Sequence, residues 1–587
     1  MLPAGRSRLH DYLDRRLVAA GLFLALTLLM TFPLALHFSS ALPAGYGDIW
    51  QNYWNFWWWK KALLELHQHP YHTQYLFHPT GAGTIFHTHS SFNMLLGLPL
   101  TAALGPAAAY NFCVLMAVWL SGLGTYLLVR DLTGDARAGV LAGIVFAFFP
   151  HRMEEILEHL NLMSVQFIPL TLFFFFRLCR QGGRRNIAGL GICFALNALC
   201  SWHLGLKLIL ILLPLAVVQY WRPARQRAAI LRDSGLAALI ATAILFPLVQ
   251  PMVAEMWSGE TYYQKAQENT GADPAFFFIP QYEHPLWREL TSWAYVDRAY
   301  YSAGFMTYLG FVPVALALFA LWRKQRGAVF WAVFTLAALL LALGKHPYWN
   351  GHLFENITLP FAVFAEIPVF RLLRSANRFL TLTGLGLAVL AGLAWMAMKR
   401  KTDMRFALLA ALILLDYAWL PFPIRTVEIS PIYEKLAAAG RRAIIDAPSM
   451  QRSRGAHNMV AQTVHERPIA DGYLSTGAPK AEAFIAQDPA LSDLIGVPKL
   501  ERPLDRDHLL ALGFDTFVLH KYRADGYARE RDPLVPLHHI SERKYIGRLG
   551  GVPDDVMDRL RAELTACCGE PAFEDGKIVV FYLERGR

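Results

Sequence analysis

Long apolar runs recur along this chain, separated by short polar stretches that carry most of its charge. The runs fall at 17–37, 107–129, 138–150, 163–178, 186–201, 203–221, 234–254, 304–322, 327–344, 377–398 and 406–423. Crossing the hydrocarbon of a bilayer takes about 20 apolar residues, sometimes fewer. The pattern predicts an α-helical polytopic membrane bundle of about eleven transmembrane helices. The first run, Leu17 to Leu36, is longer than a signal-peptide core and lacks a small-x-small cleavage site, so it reads as an uncleaved helix.

The pattern changes near residue 425. Arg442 to Ala447 reads as a strand. His508 to Gly513 followed by Asp515 to His520 reads as a helix, a glycine turn and a strand. Asp554 to Leu564 is helical in pattern, and Phe573 to Leu583 reads as a hairpin turning at Asp575-Gly576. These patterns divide the chain into a transmembrane part, 1–424, with long loops at 38–106 and 256–303, and a soluble α/β part, 425–587.

Charge placement then sets the orientation. Arg6, Arg8, Arg15 and Arg16 precede the first run, which predicts a cytoplasmic N-terminus. Alternation puts 130–137, 179–185, 222–233, 323–326 and 399–405 on the same side, and every one carries Arg or Lys. The opposite loops, 38–106, 151–162, 202, 256–303 and 345–376, hold the Trp, Tyr, His and acidic residues. An odd helix count places 425–587 with them, outside the cytoplasm of a bacterial inner membrane.

Composition agrees with the membrane class. The 587 residues are 55% hydrophobic and only 17% charged, against about 25% in soluble domains. The net charge of +10 is spread through the basic loop clusters rather than gathered in one patch, which excludes a nucleic-acid partner. The six cysteines are scattered without zinc spacing.

Three stretches on the outer side carry candidate chemistry. Asp48 opens an aromatic helix, Ile49 to Lys61, whose tryptophans, Trp50 and Trp54 among them, suit the membrane interface and an acceptor platform. Asp48 is equally readable as the N-cap of that helix. In Pro150 to Leu162, a helix would set Arg152, Glu155 and His159 on one face by i, i+3, i+7 spacing; an ion-paired surface helix would read the same. Arg371, Arg374 and Arg378 lie just outside a run, on the side that topology disfavours for cations. Guanidinium forks match phosphate geometry, while headgroup snorkelling also accounts for them. His67, His69, His72, His78, His87 and His89 cluster in the first loop without spacing that shows convergence, so no metal site is expected.

At these residues the chain resembles the GT-C superfamily of integral-membrane glycosyltransferases, which use polyprenyl-phosphate sugars. The resemblance rests on Gly47-Asp48 with Trp54 to Trp58, His78-Pro79-Thr80-Gly81 and His159-Leu160-Asn161-Leu162. Arg374 to Phe379, and Gln462 to Pro468 with Gly472-Tyr473, continue it. It implies a GT-C-like fold and transfer of a sugar from a polyprenyl-phosphate donor to an acceptor hydroxyl. In that role Asp48 is the base, with Glu155 as a substitute or as the group that orients Arg152. Arg152, Arg374, Arg378 and His159 hold the lipid phosphate. Many members carry a pair of acids where Asp48 stands alone, so neither a divalent metal nor another cofactor is expected. The acceptor, whether glycan, lipid or protein, is not encoded legibly. Two other classes fit the same topology: a lipid-sugar flippase or transporter, and a non-catalytic scaffold with an acceptor-binding tail.

Overall fold

The computed structural model describes residues 15–44, 48–221, 223–257, 271–281, 284–291, 306–367, 373, 375–447, 453–475, 477–495, 498–521 and 554–584. Among these, five helices are long and apolar enough to cross a membrane: Pro106–Thr133, Leu160–Gln181, Trp202–Trp221, Arg227–Glu255 and Ala376–Ala397. Shorter apolar helices are Arg16–Met30, Ser91–Leu104, Ala136–Ala147, Phe311–Trp322 and Ala328–Ala342. The runs at 186–201 and 406–423 form helices Arg184–Cys200 and Asp403–Asp416, both with charged residues in their first turns. Helix Ser91–Leu104 falls where the hydropathy pattern gives a loop; Gly97 and Pro99 interrupt its apolar run.

Small residues let the central helices close on one another. Label Arg16–Met30 α1, Asp48–Lys60 α2, Ser91–Leu104 α3, Pro106–Thr133 α4, Ala136–Ala147 α5, Pro150–Glu158 α6, Trp202–Trp221 α7 and Leu380–Ala397 α8. Helix α5 lies between α4 and α8. The Phe23 ring of α1 fits over Gly122 of α4 and Gly143 of α5. A Cβ at Gly122 would stand 2.5 Å from that ring, and one at Gly143 2.3 Å. Gly392 of α8 meets Val129 of α4 just as closely, at 2.6 Å. Without a water-driven force between helices in lipid, such close approach supplies the packing.

Helix α2 departs from expectation. All eleven residues from Ile49 to Trp59 are buried within the protein, so it is no interfacial helix. Its sequence explains this: apolar and amide side chains surround the axis with no charge between Asp48 and Lys60, the pattern of a core helix. Trp54 and Trp58 stack at 5.7 Å, both inaccessible to solvent.

The two ends of the helical region meet. Strand β1 (Ala41–Pro43) pairs antiparallel with β2 (Ile424–Thr426), bringing the segment after α1 and the segment after Asp403–Asp416 to one end of the bundle. Beyond it lies a four-stranded sheet. Strand β3 (Ile444–Ala447) runs parallel to β4 (Thr516–His520). Next to β4 come β6 (Ile578–Tyr582) and then β5 (Phe573–Glu574), both antiparallel. Side chains alternate across a strand, and the two faces have different fates. Ile445, Phe517, Leu519, Val579 and Phe581 form a core with Leu509, Leu560 and Leu564. Ile444, Val518, Ile578 and Val580 join the core that runs on into the helical bundle. Helix α9 (Ser453–His465) packs directly on α2.

Candidate active site

The site forms where α2 begins and α6 ends. Pro150 starts α6 at a position where its missing N–H costs nothing. The helix stops at Glu158, and His159 takes a non-helical backbone (φ −120°) before the chain turns into Leu160–Met163. That break aims three consecutive functions at Asp48. Glu158 accepts a hydrogen bond from the Ile49 N–H (3.3 Å), its carboxylate lying at the positive end of α2. The Glu158 carbonyl receives the Asn52 amide at 3.2 Å, and that amide also donates to the Asp48 carbonyl at 2.9 Å. The His159 ring lies between two carboxylates, with Nε2 at 3.4 Å from Asp48 and Nδ1 at 2.7 Å from Glu155.

These contacts set the charges. Burial alone would neutralise His159, but Glu155 and Asp48 raise it to about 10, so it is imidazolium at neutral pH. Burial would protonate Glu155, yet His159, His151 and Arg378 hold it down to about 2. Burial also pushes Asp48 up; His159, a hydrogen bond from Tyr473 and the charge of Arg378 outweigh it and leave the carboxylate below its ordinary value. His151, 3.7 Å from Glu155, is pushed by burial to about 4 and stays neutral. Asp48 keeps 24% of its side chain open to solvent, against 2% for Glu155. Asp48 is therefore the acid that a reactant can reach, and Glu155 the one that orients His159.

The structure gathers some of the residues singled out from the sequence and removes others. Asp48, Glu155, His159 and Arg378 converge. His159 faces carboxylates with both ring nitrogens, so it is not a phosphate ligand. Arg152 turns away from this face: it is 1% exposed and donates to the Ala147 carbonyl, leaving Nε and Nη2 unpartnered. Glu155 and His159 keep their i, i+4 pairing at the end of α6, but the Arg152 guanidinium is turned back to Ala147, so Glu155 pairs with His159 and not with Arg152. Arg374 and Arg371 lie outside the described residues. Trp50 and Trp54 are buried, which rules out an acceptor platform on them. The Trp54 Nε1–H instead donates to Gln462 Oε1 of α9 at 2.7 Å. The N-cap role goes to Glu158 rather than to the Asp48 side chain.

Two participants carry signals too faint to assign from sequence. Lys207 of α7 is buried, donates to the Arg378 carbonyl at 2.7 Å and lies 5.5 Å from the centre of the Phe379 ring. Its signal was an ionisable residue inside an apolar run. Tyr473 donates its hydroxyl to Asp48 Oδ1 at 2.8 Å across 425 residues of sequence. Nearby, His87 is shared between Asn55 (3.1 Å) and Ser475 (3.2 Å). His78 meets the Leu512 carbonyl and His89 receives Trp59, while the His87 and His89 rings lie edge to face at 5.0 Å. Among the described residues no group of three His, Cys, Asp or Glu is arranged to hold a metal ion.

The family described as Domain of unknown function (DUF6311) matches residues 18–418. No curated protein matches the chain. Among solved structures, the arabinofuranosyltransferase AftD from Mycobacteria is similar at 14% identity with a TM-score of 0.53, over 90% of this chain and 36% of that one. The Archaeoglobus fulgidus oligosaccharyltransferase in its apo form is similar at 13% identity with a TM-score of 0.52, over 89% of this chain and 70% of that one. The chain thus spans about a third of the arabinofuranosyltransferase's length. At these identities the likeness is one of fold, and it bears out the GT-C resemblance at that level.

Proposed function

The chain belongs to the DUF6311 family, and we propose that it is a membrane glycosyltransferase that moves a sugar from a polyprenyl-phosphate donor to an acceptor hydroxyl at the outer face of the bacterial inner membrane. The observation that carries this reading is the part-open Asp48 carboxylate, held ionised by the His159 imidazolium and the charge of Arg378. The two solved structures described above are named as an arabinofuranosyltransferase and an oligosaccharyltransferase, which supports the reaction class.

In this reading the acceptor oxygen attacks the anomeric carbon while the bond from that carbon to the phosphate oxygen breaks. The leaving phosphate keeps the bonding electrons and needs compensating charge rather than a proton. Arg378 supplies it, with Arg374 four residues before it in the sequence. The acceptor hydroxyl becomes acidic only as its new bond forms, so a weak carboxylate base suffices if it is correctly placed, and the proton passes to Asp48. His159 then lies beside a neutral acid, still paired with Glu155. Attack opposite the phosphate gives inversion. The His159 imidazolium supplies positive charge beside Asp48, and transfer that persists in the presence of a chelator is the expected outcome.

The test is transfer of radiolabelled sugar by purified protein, using a panel of polyprenyl-phosphate donors, with Asp48→Asn alongside wild type. Asn keeps the size of the side chain and loses the proton acceptor. Turnover should fall by at least about a hundredfold in a folded, membrane-inserted protein. A single-turnover rate within a few-fold of wild type removes Asp48 from the mechanism. Donor translocation without transfer would favour a flippase.

A further inference from the structure

We propose that Tyr473, carried by the C-terminal region, is the positioning residue that holds the Asp48 carboxylate in its working orientation, so that the site is complete only when that region is docked on α2. This rests on the role of Asp48 given above. The Tyr473 hydroxyl reaches Asp48 Oδ1 at 2.8 Å while His159 approaches Oδ2 at 3.4 Å. Each carboxylate oxygen has a guide, one from either side of the chain's main division.

The segment bearing Tyr473 is fastened independently of that contact. Ser475 is bound to His87, and the Ser475 Oγ also accepts from the Thr88 N–H at 3.1 Å. Upstream, Gln462 joins Trp54 to the carbonyls of Tyr75 and Arg467. Lys61 pairs with Glu466 at 2.6 Å. Gly472 passes 3.2 Å under the Leu76 side chain, measured from an added Cβ, so a larger residue there would lift Tyr473 away. The hydroxyl is thus a placed group, not a side chain that drifted into reach.

A hydroxyl that donates to a carboxylate favours its ionised form. The other charged or titratable groups facing Asp48 are His159, Glu155 and Glu158 from α6 and its end, Arg378 from the segment before α8, His87 from the loop before α3 and Tyr110 from α4. None of them is altered in Tyr473→Phe. Removing the hydroxyl should therefore raise the pH at which Asp48 takes up a proton by about one unit.

The experiment uses the full chain in detergent and needs no substrate. Water-insoluble carbodiimide modifies protonated carboxyls, and peptide mass spectrometry reads the modification of Asp48 as a function of pH. The midpoint should move up in Tyr473→Phe and by clearly less in Ser475→Ala, which removes one fastening of the segment but keeps the tyrosine hydroxyl. An unchanged midpoint in Tyr473→Phe, or an equal shift in both variants, overturns the proposal. If the protein transfers sugar, the acid limb of the rate profile should move with that midpoint and the plateau should fall, because the ionised Asp48 is no longer held in place. A wild-type plateau together with a wild-type acid limb would also overturn it. Because the chemical readout needs neither donor nor acceptor, failure of the glycosyltransferase reading leaves it intact and is seen separately.

Discussion

His159 is cationic because Asp48 and Glu155 overcome the burial that would neutralise it, and this makes a pH dependence with a definite sign. Its folded-state value of about 10 lies above the ordinary 6.5. The stability it contributes is full below pH 6.5 and is lost as pH climbs through 10. Glu155 runs the other way. Lowered from 4.5 to about 2, it contributes above pH 4.5 and loses that contribution as pH falls through 2. Both contributions are whole only between those inner limits, pH 4.5 and 6.5. His159→Gln should lower the Tm most in that window and flatten the decline of the Tm from pH 6.5 to 10. A variant whose Tm curve runs parallel to wild type across that range would show that the imidazolium is not formed. At this scale the sequence exposed Asp48, because it is the lone acid between α1 and Glu65. Tyr473 stands in a stretch that carries the resemblance, but its role was hidden by 425 intervening residues and by the absence of any local pattern linking a loop tyrosine to a distant carboxylate. Spacing placed Glu155 and His159 together correctly but could not show that the Arg152 side chain turns back to the Ala147 carbonyl.

Among the elements, hydropathy found the membrane helices but could not say how they lie. Period alone cannot tell an interfacial aromatic helix from a buried one when apolar residues surround the axis, which is why the pattern of α2 points to the membrane surface while the helix itself is buried. In the C-terminal region β3, β4 and the β5–β6 hairpin stand where the strand and turn patterns put them, because each is short, rich in β-branched or aromatic residues and bounded by polar or glycine positions. Glycines inside apolar runs gave no hint of their neighbours, and here they decide helix contact. Gly143 of α5 sits under Phe23, where a methyl group would meet the ring at 2.3 Å and the Gly122 carbonyl at 2.6 Å. Neither a buried ring nor a helix backbone yields cheaply. Gly143→Ala should destabilise the bundle by about 1–3 kcal/mol, the usual cost of overpacking, read as a drop in Tm in detergent. Phe23→Leu should recover much of that loss by giving the methyl room. A Gly143→Ala protein with wild-type Tm would mean that α1 is not seated between α4 and α5.

For the whole molecule, the question is whether the sheet region stands alone. A chain split at 425 reads as a membrane bundle with a soluble appendage, and a scaffold function would need that appendage to fold and bind by itself. The sheet's inner face argues otherwise. Ile444, Val518, Ile578 and Val580 are nearly or wholly inaccessible because they share one continuous core with α2, α9 and the bundle. Separated from residues 1–424, this face would become a contiguous apolar surface of the kind that drives association. The fastenings between Trp54 and Gln462, Lys61 and Glu466, and His78 and Leu512 would be lost with it. The β1–β2 pairing, which ties the start of the region to the segment after α1, would go too. A fragment of residues 425–587 expressed by itself should therefore bind a hydrophobic dye strongly, aggregate or require detergent, and lack a cooperative thermal transition. The same residues in the full chain should unfold together with the bundle. If the fragment is instead monomeric, dye-silent and cooperatively folded, the shared core is only a docking contact, and the region becomes free to work as an acceptor-binding module independent of the membrane part.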